Sequence, residues 1–289
     1  MIRLGSLFAG IGGFDLGARW AFEKAGISHR VAFQVEQNKY CQSILKKHWP
    51  DAQIFDDVRA VGRHNLPDID ILMGGFPCQD ISVAGHQKGI IHGKKSSLWF
   101  EMLRIISELR PNIVVLENVP AIARVGGPVV VGGLTEIGYD CEWQTVSARQ
   151  FGAPHLRKRW FCVATNTKGD ADNRRIDQGV FKKKGSGQSA STKTLNRYSH
   201  DATTNTDRDR KPIGTINAKT CKLPSSSRYQ RPDWQRFPTQ PAIRNRDDGL
   251  PSRLARLRAL GNAIVPQCAE YIFDHVIRSI NPHYERGSA

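Results

Sequence analysis

Cys78 stands in the run Gly75-Phe76-Pro77-Cys78-Gln79, and it is the first residue whose setting suggests chemistry. A thiol in a polar, glycine-rich loop beside a helix start can ionise readily and act as a nucleophile. The plain alternative is a small buried hydrophobe. Glu117, in Glu117-Asn118-Val119, follows an uninterrupted apolar run. A carboxyl at such a boundary is partly desolvated, which raises its pKa and suits it to give or share a proton; an acid facing water is the alternative. Arg157-Lys158-Arg159 precedes another apolar run. Guanidinium groups there can hold a phosphate or fix a carboxylate, or can be solvated surface. Phe8-Ala9-Gly10-Ile11-Gly12-Gly13 places glycines where a backbone turns tightly and nears a ligand. It departs from the dinucleotide fingerprint GxGxxG, because Phe14-Asp15 follows Gly13. Glu36 closes a short apolar run, a place where a carboxylate accepts hydrogen bonds from ribose hydroxyls. Asp57, after Ile54-Phe55, is a third acid at a strand end or a helix cap.

These residues need elements to bring them together, and the first half of the chain supplies an alternating pattern. Apolar runs at Ile2–Phe8, Val31–Val35, Ile69–Met73 and Ile113–Leu116 read as strands, with Glu142–Val146 and Trp160–Ala164 as further candidates. Between them Phe14–Ala25, Tyr40–His48 and Leu98–Leu109 have helical spacing and stop at Gly26, Pro50 and Pro111. Alternation of this kind predicts a parallel, doubly wound α/β sheet, with ligands at the carboxyl ends of the strands. The glycine loop, Glu36, Cys78 and Glu117 all fall at strand ends. Further on, Leu254–Leu260 reads as a helix, and Gly261-Asn262-Ala263 is expected to open a final helix running through Gln267–Ile280.

Charge divides the 289 residues differently. The net charge is +15; residues 1–165 hold 19 Lys/Arg against 15 Asp/Glu, whereas 166–260 hold 21 against 9. A basic excess gathered in one segment suggests a polyanion partner, with a solvated loop as the alternative. The segment 165–230 has few apolar residues and Lys182-Lys183-Lys184-Gly185-Ser186-Gly187 is linker-like, so it builds little core by itself. Cys41, Cys141, Cys162, Cys221 and Cys268 are scattered without zinc-ligand spacing and read as reduced, mostly buried thiols; no metal site is expected. No apolar run has the length of a membrane span, and Met1–Leu7 reads as a strand rather than a signal peptide.

Taken together the motifs resemble the DNA (cytosine-5) methyltransferase family of bacterial and phage type. Leu7–Gly13 looks like its cofactor loop, Gly75–Gln79 its nucleophile loop, Glu117-Asn118-Val119 its base-binding triplet, Gln150–Arg159 its arginine motif and Leu260–Pro266 its C-terminal motif. The resemblance implies a Rossmann-like S-adenosylmethionine-dependent methyltransferase fold with a small basic target-recognition lobe. Its domains would be 1–165, catalytic and cofactor-binding; 166–250, target recognition; and 251–289, returning to the catalytic domain. It implies S-adenosyl-L-methionine as cofactor, held by Phe8, Gly10, Gly12, Glu36, Asp57, Val58, Pro77, Asn262 and Ala263. It implies Cys78, Glu117, Arg157 and Arg159 as catalytic residues, with Gln79, Ser82, Asn118 and Val119 against the DNA. The substrate would be double-stranded DNA, the target base flipped out of the stack. The loop 80–97, with Lys88, Lys94 and Lys95, would close over that base, and arginines such as Arg208, Arg210, Arg228, Arg231, Arg244 and Arg246 would meet guanine edges or phosphates. A protein acting as a monomer in the cytoplasm of a bacterial or phage-infected cell follows, with a cognate restriction endonuclease as a possible companion. Two departures stand out: His155 occupies a position where the family has Gln, and the segment Gly249–Arg256 is a shortened form of the family's motif. An RNA cytosine methyltransferase on the same scaffold and a catalytically silent DNA-binding regulator are the competing readings.

Overall fold

The computed structural model describes residues 1–77, 98–167, 253–280 and 284. Seven strands form one sheet: β1 (Ile2–Leu7), β2 (His29–Val35), β3 (Gln53–Phe55), β4 (Ile71–Gly74), β5 (Ile113–Asn118), β6 (Tyr139–Ser147) and β7 (Lys158–Asn166). Their order is β3-β2-β1-β4-β5-β7-β6. The helices are α1 (Gly13–Lys24), α2 (Lys39–His48), α3 (Leu98–Leu109), α4 (Ile122–Val125), α5 (Gly127–Glu136), α6 (Arg253–Asn262) and α7 (Pro266–Ile280).

The fully apolar strands are buried on both faces, as a doubly wound sheet requires. On β5, Ile113 and Val115 point into a core shared with Phe14, Ala18 and Phe22 of α1 and Cys268, Ile272 and Val276 of α7. Val114 and Leu116 point the other way, into a core with Trp99, Met102 and Ile106 of α3 and Val130 and Leu134 of α5. This period-two division puts α1 and α7 on one face and α3 and α5 on the other. The expectation of a wholly parallel sheet needs one correction. β7 is antiparallel to both β5 and β6: the connection 148–157, which begins with a helical turn at Ala148–Phe151, reverses the chain after β6 and returns it between β6 and β5. The Rossmann-like α/β fold otherwise stands, with the strand order reversing between β1 and β4.

Several boundaries also differ from expectation. β5 continues through Glu117 and Asn118, because both pair with β7. Gly261 and Asn262 close α6, and the last helix opens at Pro266, whose fixed φ suits a first helical position. The expected target-recognition segment, except its first residues, lies outside the described residues. Among the described residues, no helix is long and apolar enough to cross a membrane. Cys41, Cys141, Cys162 and Cys268 are free and buried; Cys78 and Cys221 lie outside the described residues.

Candidate active site

A cleft of about 790 Å³ opens at the carboxyl ends of β1, β2, β4 and β5, at the point where the strand order reverses. Its glycine loop leaves β1 through Phe8 and Gly10, both with left-handed φ, and Gly12 in the same conformation precedes α1. Space lies open where a Cβ on Gly10 would stand, so a ligand can come up to the backbone there. Gly12 instead faces inward: a Cβ on it would stand 2.4 Å from the ring of Trp49.

Glu36 closes the loop from the side. One carboxylate oxygen accepts the Gly10 N–H at 2.8 Å and the other accepts the Asn38 N–H at 2.8 Å. The Glu36 N–H in turn donates to the Phe55 carbonyl at the end of β3. The carboxylate is thus aimed into the cleft and held by backbone. Asp57 caps the short turn Val58–Ala60, its Oδ1 accepting the Arg59 N–H at 2.9 Å. Asp56, which sequence reading passes over, also lines the cleft and accepts from Lys39 Nζ and from Gln42 Nε2 at 2.7 Å. The Arg104 guanidinium reaches from α3 to the carbonyls of Val58 and Val61, at 3.1 and 3.0 Å, and so fixes that turn.

Glu117 occupies the opposite end. The β5–β7 register sets it opposite Phe161, and Arg159, two residues earlier on β7, brings Nε to 2.9 Å from Glu117 Oε1. Only 12% of the Glu117 side chain is exposed. Burial pushes its pKa up to about 7, against the pull of Arg159 and Arg157. Asn118, buried, donates from Nδ2 to the Phe76 carbonyl at 3.1 Å and accepts the Val119 N–H. Phe76 is itself buried, its ring 5.2 Å from that of Trp99. These contacts fix the chain up to Pro77; Cys78, Gln79 and Ser82 lie outside the described residues.

Arg157 is placed differently from Arg159. Its Nη2 donates to the carbonyls of Gly261, at 2.9 Å, and Ala263. Phe8, Gly10, Glu36, Asp57, Val58, Pro77, Glu117, Asn118, Val119, Arg159 and Asn262 all line the cleft; Gly12, Arg157 and Ala263 do not. His155 is exposed. Beneath the glycine loop sits a buried trio absent from the sequence reading. Asp15 accepts from Gln34 Nε2 at 2.8 Å and lies 3.2 Å from the Ser6 hydroxyl. Its signal was available: Asp15, Ala18 and Phe22 share one helix face by spacing.

The open glycine backbone, the carboxylate at the end of β2 and the size of the cleft fit a nucleoside-bearing cofactor of the S-adenosyl-L-methionine class. The sequence model of the C-5 cytosine-specific DNA methylase family matches residues 2–237. The type II methyltransferase M.CviJI of Paramecium bursaria Chlorella virus IL3A is 44% identical over 160 residues, 55% of this chain and 41% of that protein. The type II methyltransferase M.Bsp6I of Bacillus sp. (strain RFL6) is 36% identical over 168 residues, 56% and 52% of the two chains. The chain thus spans about half the length of these relatives. Among solved structures, a DNA modification methyltransferase encoded within a prophage (E. coli) aligns with a TM-score of 0.48 and 27% identity, covering 63% of this chain and 50% of that one. With the family model matching most of its length, the chain belongs to the C-5 cytosine-specific DNA methylase family.

Proposed function

We propose that this chain methylates C5 of cytosine at a specific sequence in double-stranded DNA, with S-adenosyl-L-methionine as donor and Cys78 as nucleophile. The observation that carries the reading is Glu117: a buried carboxyl on the cleft wall, with a pKa near 7 and an arginine on one oxygen. Cytosine is inert at C5 until a nucleophile adds at C6. The Cys78 thiolate forms that bond, and the ring electrons move toward N3 and C5. Glu117, protonated, donates to N3 and stabilises the developing charge; Arg159 holds the carboxyl in place. The bound cofactor supplies an electrophilic methyl group, which C5 takes. Loss of the C5 proton and departure of the Cys78 sulfur restore the ring.

Phe8, Gly10, Glu36, Asp57, Val58, Pro77 and Asn262 would hold the cofactor, with Gly12 and Ala263 shaping the loops behind them. Asn118 and Val119, with Gln79 and Ser82, would face the base. Neither ring face of a stacked cytosine admits both a thiolate and a methyl donor, so the base is flipped into the cleft. The basic segment 166–250 would bind the duplex, acting as part of a monomer, and such binding weakens with salt as counterions return. The family resemblance and the type II names of the relatives make a cognate endonuclease and a cytoplasmic setting part of the proposal.

The test is methylation-sensitive sequencing of DNA from cells expressing this chain beside cells expressing Cys78→Ser. 5-Methylcytosine at one short motif, present only with the native chain, is expected. Its absence from both would overturn the reading.

A further inference from the structure

α6 forms part of the cleft wall through Arg258, Ala259, Gly261 and Asn262. Among the described side chains of this helix, most face solvent. Arg256, Arg258, Gly261 and Asn262 are exposed, Leu260 is 61% exposed, and Ala259 is buried. The end of this wall is fixed by specific contacts. The last carbonyls of a helix have no partner within it and must find donors elsewhere. Here the donor is Arg157, whose Nη2 holds the carbonyls of Gly261 and Ala263.

Arg157 is preset for this. It has φ 30, a left-handed value that costs a non-glycine residue energy and persists only where neighbours impose it. The Ser147 hydroxyl and the Ala148 N–H both donate to the Leu156 carbonyl and hold the preceding turn. From the far side, the Ile264 carbonyl rests where a Cβ on Gly13 would stand 2.5 Å away. The bend between α6 and α7 is therefore gripped on both sides, by the arginine motif and by the glycine loop.

We propose that Arg157 is a positioning residue that latches residues 258–263 over the cleft, so that affinity for the methyl donor depends on it. The two arginines at the start of β7 thus divide the work: Arg159 sets the acid and Arg157 sets the cofactor wall. The proposal rests on reading the cleft as a methyl-donor site.

The experiment titrates S-adenosylhomocysteine into the wild type, Arg157→Ala and Arg157→Lys by calorimetry, beside steady-state methylation and amide hydrogen exchange. Arg157→Ala is expected to weaken binding about tenfold, the scale of losing charge-assisted hydrogen bonds. The loss should appear in Kd and in KM for the donor, and amides 258–263 should exchange faster. Arg157→Lys, which keeps one cationic donor, should fall between. An unchanged Kd, or a loss confined to kcat, overturns the latch. Should Arg157→Ala fail to fold, Arg157→Lys and Arg157→Gln carry the same comparison. A wild type that neither binds S-adenosylhomocysteine nor methylates DNA would sink the functional reading itself. A wild type that does both, beside an unaffected Arg157→Ala, would sink the latch alone.

Discussion

A Cβ on Gly75 would stand 2.7 Å from Oε2 of Glu117, well inside van der Waals contact. The carboxyl is confined between that backbone and the Arg159 guanidinium on its other oxygen. Gly75→Ala should push it off Arg159. Turnover is expected to fall about 100-fold, the scale of a roughly 1 Å misplacement, while the melting temperature moves by only a few degrees. Single-turnover methylation and thermal unfolding of the same preparation check both halves.

Glu117 serves as a hydrogen-bond donor only while protonated. Burial raises its pKa to about 7, and Arg159, then Arg157, oppose that rise. The value of kcat/KM should therefore decline as pH climbs through about 7. Arg159→Met removes a cation that favours the ionised form, so its decline should move to higher pH even though its rate is lower. Glu117→Gln should lose 10²–10⁴-fold, approximately, and show no decline in that range. Methyl-transfer rates from pH 5.5 to 9 test all three, and an Arg159→Met limb displaced to lower pH would refute the assignment.

Asp15 gives a second pH signature, in stability rather than rate. Burial raises its pKa to about 6, against hydrogen bonds from Gln34 and Ser6 that lower it. The folded state thus binds its proton more tightly than the unfolded chain does. That contribution is complete below the unfolded value near 4 and is lost as pH rises through about 6. Asp15→Asn cannot ionise and keeps an acceptor for Gln34. Between pH 4 and 7 the wild type should lose roughly 1–3 kcal/mol more stability than this variant, as read from urea unfolding.

Gly17 decides how closely α1 and α7 approach. A Cβ there would lie 2.5 Å from Ala269 Cβ, 2.6 Å from the Pro266 carbonyl oxygen and 2.8 Å from the Glu270 nitrogen. Alanine gains up to about 1 kcal/mol of helix propensity over glycine. Two of the three obstacles are backbone atoms that cannot swing aside, so overpacking should win. Gly17→Ala is expected to destabilise by about 1–3 kcal/mol, measured by urea unfolding at pH 7.

The strands and helices written as apolar runs were legible from periodicity, among them Leu98–Leu109 with its end before Pro111. The helices over 122–136 were not. Val129, Val130 and Val131, with glycines at 126, 127, 132 and 133, are poor helix formers, and burial of Val130 and Leu134 against the sheet outweighs that preference. The direction of β7 was equally hidden, since a strand carries no local mark of its orientation. At the site, residue types announced Glu36, Glu117 and Arg159, because a charged side chain needs a partner wherever it is buried. The engagement of Arg157 was invisible, because its acceptors are backbone carbonyls that every sequence possesses. Asp56 and Arg104 were missed because their roles depend on neighbours distant in sequence.

The contact between Gly13 and Ile264 also bears on how the protein is made. It joins the first turn of α1 to the bend before α7, a sequence separation that slows folding because loop closure precedes any gain. A ribosome adding roughly 5–20 residues per second leaves α1 with its partner face bare for tens of seconds before α7 emerges. During that interval the nascent chain lacks one wall of the cleft. Until then the Ile264 carbonyl is missing from beside Gly13, and the face of α1 that meets α7 is the surface a chaperone would find uncovered.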